Sequence, residues 1–381
     1  MRKLFIVCGE PSGDLLAGNL ACAIKELDPN IKISGIGGTH LVKAGCEIYY
    51  NINELSVMGF FDVLKKLPKF FALKKIILEK IDSEKPDGII LVDFSGFNLR
   101  LAQIINKRIP TIYYVSPQVW ASRESRINSI KKFISKMLVL FKFEEEFYQQ
   151  RKVKVTCVGH PLIDIVKPAL EKPQFIKNYQ LALDKKIIAL LPGSRKQEIR
   201  MMLPIMLKAA QFINKTIPQT QFIIAKAPNL NSEIYLNEYK KFNLDIKIIN
   251  ALTYDCLNNA AASIVCSGTA TLEAAIIQNP FVIVYKTNIF NYLLYRPQIK
   301  IPYIGMVNIV AQKEIVEEFV QFKAKPKLIA NSILKFLQDP SSSNRLSREL
   351  LEVKNSLGQP KAAQRAAKLI LEFLFNKNSY E

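Results

Sequence analysis

The chain has 381 residues, enough for two domains or a little more, and 49% of them are hydrophobic, which excludes a disordered polymer. Six scattered cysteines (8, 22, 46, 157, 256, 266) with no CxxC, and only two histidines, His40 and His160, argue against a disulfide framework and a histidine-rich metal site. The formal charge of +20, from 53 Lys+Arg against 33 Asp+Glu, suits an anionic partner or surface, but a lysine-rich composition explains it equally, so charge alone selects nothing.

The chain begins "MRKLFIVCGEPSGD", an apolar run too short for a signal peptide, and no stretch approaches the roughly 20 apolar residues of a membrane span. A cytoplasmic protein is expected. "KLFIVC" reads as a strand leading into the helical "GEPSGDLLAGNLACAIKEL". An amphipathic insertion follows at about 54–81, where Phe60, Phe61, Phe70 and Phe71 interleave with lysines and Pro68 interrupts the helix. Next come "GIILVD" before "FNLRLAQIINKR", then "TIYYV" with a basic loop, then "KMLVLF" before "KFEEEFYQQR". This alternation is that of βα units building a parallel sheet over residues 1–160. Prolines 161, 168 and 173 mark 161–186 as a linker. The rhythm restarts over 187–357 with "KIIALL", "TQFIIA", "DIKII", "ASIVC" and "PFVIVY". A last helix, within 358–381, is expected to pack back on an N-terminal domain. The expected class is α/β, with two Rossmann-like domains facing a central cleft.

Three loops follow strands and precede helices, where unpaired amides and the helix dipole favour anions. They are Gly9–Asp14, Leu191–Arg195 and Ser267–Thr269. None is a Walker A loop or GxGxxG, so no ATPase reading and no dinucleotide cofactor is called for. The second and third loops lie in one half and together suit a diphosphate. Gly193 lets the backbone approach, Ser194 stands beside it, and Arg195 offers a forked cation. Ser267, Gly268 and Thr269 supply amides and hydroxyls, and Glu273, one turn into the helix, is placed to take both hydroxyls of a ribose. The bland alternative is an ordinary cap with a solvated acid.

The motifs "GEPSGD" (9–14), "ELSVMGFFDVL" (54–64), "VDFSGFN" (92–98), "YYVSPQVWASRESRI" (113–127), "VGHPLID" (158–164), "LLPGSRKQEI" (190–199) and "SGTATLEAA" (267–275) follow one another along nearly the whole chain. In this order the chain resembles the lipid-A-disaccharide synthase family, inverting glycosyltransferases of the two-Rossmann, B-type fold. The resemblance implies transfer of 2,3-diacylglucosamine from UDP-2,3-diacylglucosamine to the 6′-hydroxyl of 2,3-diacylglucosamine 1-phosphate (lipid X), giving a β(1→6) disaccharide phosphate and UDP. It implies UDP in the second half and acceptor lipid in the first. One departure stands out: Gly96 occupies the place of a second Asp in the family pattern.

Such a transfer needs a base for the attacking hydroxyl and support for the departing diphosphate. Asp93, closing the strand "GIILVD", is the expected base, with a helix N-cap as its plain alternative. Arg195 is expected to steady leaving UDP without a metal, since no Asp-x-Asp pair is placed for Mg²⁺. Glu10 is expected in catalysis. Ser12, Asn98, Trp120 and Arg123 are expected at the acceptor. The resemblance places Asn308 and Gln312 near the donor, and His160 reads as structural. The basic amphipathic insertion suits the anionic inner-membrane surface, against a core helix with a solvated lysine face. The expected partners are the two lipid substrates and that surface, with no nucleic acid; a homodimer is one arrangement the sequence allows. The competing readings are another UDP-sugar enzyme of this architecture, such as a 2-epimerase or a peptidoglycan glycosyltransferase, and a non-catalytic basic module for lipid or nucleic acid.

Overall fold

Apolar runs bounded by Gly, Pro and Asp pair side by side into two parallel sheets. The structure, a computed structural model, describes residues 1–52, 60–228 and 230–375, leaving aside the side chains of 60–67 and 295. In the first sheet the strands are β1 (Lys3–Val7), β2 (Lys32–Gly37), β3 (Glu47–Asn51), β4 (Gly88–Val92), β5 (Thr111–Tyr114), β6 (Lys136–Val139) and β7 (Val155–Cys157). Their order is β3-β2-β1-β4-β5-β6-β7. All five residues of β4 are buried, as expected of a parallel strand covered by helices on both faces. Val7 pairs with Leu91, so the segments after β1 and β4 emerge side by side where the strand order reverses.

The second sheet holds β8 (Lys186–Leu191), β9 (Thr220–Lys226), β10 (Ile246–Asn250), β11 (Ala262–Cys266), β12 (Phe281–Tyr285) and β13 (Glu318–Val320), in the order β10-β9-β8-β11-β12-β13. Helix Lys196–Thr216 lays Ile199, Met202, Leu203, Met206, Leu207, Ala210 and Ile213 into the core at helical spacing. Val265 pairs with Leu191, so the loops after β8 and β11 are neighbours at this sheet's reversal point.

Four strands had no clear periodic signal: β2, β3, β7 and β13. The strand β7 has three residues and β13 three, and neither is fully buried. The sequence of β2 is "KISGIG", whose glycines weaken a strand pattern. Gly35 has φ +151, and a Cβ there would collide with the backbone oxygen of Ile6, so only glycine lets β2 lie against β1 here.

The chain divides into two compact units. The first takes Met1–Pro161, Pro297–Lys300 and the chain from Leu357 onward; the second takes Leu162–Arg296 and Ile301–Ser356. The region 161–186 differs from the expected linker. It forms helices Leu162–Ile165 and Lys172–Asn178 within the second unit, and the Ala169 and Leu170 amides donate to buried Asp255 (2.9 and 2.7 Å). Helix Ala362–Phe375 packs on helix Pro11–Leu27 through Ala362, Ala363, Ala366, Ala367 and Ile370, small residues that allow close approach. Arg365 fastens it by donating to the Val158 carbonyl (3.0 and 2.7 Å). His160 is buried against Phe141, its amide donates to the Leu357 carbonyl (2.8 Å), and burial drives its imidazole pKa down to about 3, so it stays neutral.

Candidate functional site

In the first unit the loop Gly9–Asp14 follows β1. Glu10 is the N-cap of helix Pro11–Leu27, without a capping bond from its side chain; Glu10 and Ser12 are both partly exposed. Asp14 is spent inward. Its buried carboxylate accepts from the amides of Gly38 (2.7 Å), His40 (2.8 Å) and Leu41 (3.3 Å), tying this loop to the one after β2.

Asp93 follows β4, partly exposed, and stands against this loop: a Cβ on Gly13 would lie 3.6 Å from the Asp93 Cβ, an ordinary contact. Asp93 and Phe94 are both left-handed (φ 48 and 46), an arrangement that costs about 1–3 kcal/mol per residue and needs bracing. Asn98 supplies the brace. Its fully buried amide nitrogen donates to the carbonyls of Asp93 (2.9 Å), Val92 (3.3 Å) and Val7 (3.4 Å), joining the ends of β4 and β1. The Tyr113 hydroxyl adds a bond to the Asp93 carbonyl (2.5 Å). Asn98, expected at the acceptor, is thus spent on bracing the Asp93 backbone.

Arg126 donates to Ser95 Oγ (3.1 Å) and passes 3.9 Å from where a Cβ on Gly96 would stand. Burial, then the charges of Arg123 and Arg100, hold its pKa below the ordinary value, so these three cations lie near one another. Arg123 is exposed. Trp120, expected at the acceptor, is partly exposed; its indole nitrogen donates to buried Glu144 (3.1 Å), and Phe143 meets it edge-on. Burial pushes the Glu144 carboxyl up to about 7.

Of the four phenylalanines of the insertion, Phe70 and Phe71 have described side chains, and their environments differ. Phe60 and Phe61 lie outside the described side chains. Phe70 is partly exposed, its ring 6.0 Å from Phe94 and 6.3 Å from Phe97, so it joins an aromatic cluster with the residue that follows Asp93. Phe71 is 62% exposed, with the Lys74 ammonium 5.1 Å from its ring.

In the second unit, Gly193 has φ +112, and a Cβ there would collide with the Glu198 side chain. Glu198 was missed by sequence reasoning. Its buried carboxylate accepts from the amides of Ser194 (2.9 Å) and Arg195 (3.2 Å) and pairs with the Arg195 guanidinium (2.9 Å). An acid three residues after the N-cap was the available signal, a capping-box spacing. The loop's amides and cation are real, but a carboxylate occupies them here.

The third loop is open. Gly268 has φ +150 with nothing within 4 Å of a Cβ placed on it. Ser267 Oγ donates to the Ile304 carbonyl (3.0 Å), and Thr269 caps helix Ala270–Ile277 by backbone alone. Glu273 lies one turn in, partly buried, and burial raises its carboxyl to about 7. Arg195 and Glu198 both act electrostatically on Cys266 and on Tyr285, which places the two loops together.

Asn308, like Asn98, is engaged by the fold. Fully buried, it accepts from the Ile315 and Val316 amides (both 3.0 Å) and donates to the Val316 carbonyl (2.7 Å) and to Glu318 (2.9 Å). Glu318 in turn accepts from the Ile304 and Gly305 amides (both 2.9 Å). Asn308 thus shapes the turn that Ser267 touches. Gln312 is exposed, left-handed (φ 56), and ends helix Met306–Ala311.

Known proteins match this arrangement along its whole length. The profile of a family described as Lipid-A-disaccharide synthetase matches residues 4–373. A lipid-A-disaccharide synthase of Syntrophus aciditrophicus is 38% identical over 375 residues, covering 98% of each chain. One from Coxiella burnetii is 37% identical over 377 residues, covering 98% of this chain and 99% of its own. Among solved structures, a UDP-GlcNAc 2-epimerase from Neisseria meningitidis bound to UDP-GlcNAc superposes with a TM-score of 0.64 at 13% identity, covering 99% of this chain and 100% of its own, which speaks to the fold alone.

Proposed function

The chain belongs to the lipid-A-disaccharide synthase family of glycosyltransferases, and from that premise we propose that it transfers 2,3-diacylglucosamine from UDP-2,3-diacylglucosamine to the 6′-hydroxyl of lipid X with inversion. The observation that carries the reading is Glu273. Its position, one turn past a glycine with open space above it, lets its carboxylate take hydroxyl donors such as those of a ribose, which favour the ionised form that burial otherwise disfavours. In this reading the uracil nucleotide binds at the loops after β8 and β11. Its diphosphate competes with the Glu198 carboxylate for Arg195 and for the two amides.

The chemistry assigned to Asp93 balances simply. The acceptor 6′-hydroxyl passes its proton to the Asp93 carboxylate as its oxygen bonds to the anomeric carbon. The bond from that carbon to the diphosphate oxygen breaks, and UDP leaves with the electron pair while Arg195 offsets its charge. Asn98 and Tyr113 hold the Asp93 backbone so that no reorganisation is needed. Arg123 and Arg126 are the cations that suit the acceptor phosphate.

Among the described residues no helix is long and apolar enough to cross a membrane. The proposed location is the cytoplasmic surface of the inner membrane, with helix Phe60–Glu84 at the interface and Phe71 outward. The test is incubation with UDP-2,3-diacylglucosamine, with and without lipid X, read by mass spectrometry. Disaccharide phosphate and UDP should appear together and only with acceptor. Isomerisation of the UDP-sugar alone would identify an epimerase, and no chemical change a binding module.

A further inference from the structure

Helix Ile289–Tyr295 of the second unit shows the reverse of the usual burial pattern. Ile289 (38%), Phe290 (69%), Leu293 (61%) and Leu294 (45%) are exposed, four large apolar side chains in one seven-residue helix. Single exposed apolar residues are ordinary, but a cluster is not. Phe322, 69% exposed, extends it: Tyr292 meets the Phe322 ring edge-on at 6.1 Å. The surface is built rather than frayed. Asn288 caps the helix by accepting from the Phe290 amide (2.9 Å). Buried Gln321 clamps Thr287 at both its amide (3.0 Å) and its carbonyl (2.9 Å), which holds Phe322 beside the helix.

The sequence that carries this face is cationic on either side of Glu314, Glu317 and Glu318. From Lys286 to Lys313, and again from Phe319 to Gln338, the sequence holds no Asp or Glu. Lys286, Arg296, Lys323, Lys325 and Lys327 are all exposed. A self-complementary contact between two copies would set this cationic rim near itself, which disfavours a homodimer. An apolar centre with a rim of cations matches a surface that offers hydrocarbon beneath anionic headgroups. We propose that this face of the second unit docks on an anionic lipid bilayer, giving that unit its own anchor, independent of helix Phe60–Glu84. The inference rests on the reading that the substrates are membrane lipids.

The experiment uses the full chain in flotation with vesicles of phosphatidylglycerol and phosphatidylethanolamine, and with vesicles of phosphatidylcholine alone. Phe290→Ser combined with Leu293→Ser should weaken binding to the anionic vesicles roughly tenfold, because less apolar area enters the bilayer. Its melting temperature should hold, since these side chains are already in water. Lys323→Glu combined with Lys325→Glu should remove most of the preference for anionic over neutral vesicles. Turnover on detergent-dispersed acceptor should be unchanged in both variants, and that arm reports the proposed reaction separately from the surface. Anionic-vesicle binding by the serine variant within about twofold of the parent overturns the proposal. So does a parent chain that fails to float but sediments as a dimer which the serines dissociate.

Discussion

The ends of the two sheets, built in the same strand order, use their polar residues differently. After β1 and β4 the first unit turns most of them inward. Asp14 holds three amides, Asn98 braces three carbonyls, and beside them stand the partly exposed Glu10, Ser12 and Asp93, the last on a left-handed turn. After β11 the second unit leaves Gly268 uncovered and a carboxyl at about 7 near it. A rigid turn that aims one group suits proton transfer, where small displacements are costly. An open glycine with an acid suits a ligand that brings its own hydrogen-bond donors. The same topology thus leaves different groups at its two reversal points, and the difference lies in which side chains are spent on the fold.

The largest expected effect separates aim from fold. Asp93→Asn should lower turnover by about 10²–10⁴, the usual worth of a positioned base, with melting temperature and UDP affinity retained. Near-normal turnover at saturating substrates would remove Asp93 as the base. Next, Glu273→Ala should weaken UDP binding by about 1–3 kcal/mol in calorimetry, the scale of a lost hydrogen bond to a charged group. Its titration sharpens the contrast. The Glu273 carboxyl sits at about 7 in the folded chain against 4.5 ordinarily, so the folded state keeps a proton the unfolded state has lost. Its contribution to stability is full below the lower value and is lost as pH rises through the higher one. Ribose hydroxyls favour the ionised form, so UDP affinity should climb as pH rises from about 6 to 8, with proton release. Glu273→Gln should flatten both slopes.

The inward acids should behave as structure. Asp14→Ala leaves amide donors without partners and should cost about 1–3 kcal/mol of stability. Glu198→Ala should cost about 0.5–2 kcal/mol as a lost cap, read from urea melts. A Glu198→Ala variant with parental stability would make that acid a ligand group only. The smallest effect tests the insertion: Phe71→Ser, at an exposed site, should shift stability by no more than about 0.5 kcal/mol. Phe70→Ser, inside the Phe94–Phe97 cluster, should shift it measurably more.

Periodicity carried the fold class, because a parallel strand buried on both faces must be apolar and the helix after it must be amphipathic. It placed β1, β4, β5, β6 and β8 to β12, and it put Asp93 and Glu273 at strand or helix ends. The short strands β3, β7 and β13 were not legible, since pairing by a neighbour, not their own composition, makes them strands. Nor was the split of the insertion, where Phe70 and Phe71 are adjacent in sequence but face different surroundings. The hydrogen-bond partners of Asn98, Asn308, Asp14, Glu198 and Trp120 were decided only by tertiary structure. Each is a polar group that could meet a ligand or a backbone amide, carbonyl or carboxyl brought near by folding. A buried polar group must be satisfied by whatever is closest. Sequence spacing says that such a group is present, but the identity of its nearest partner is set by strands and loops tens of residues away.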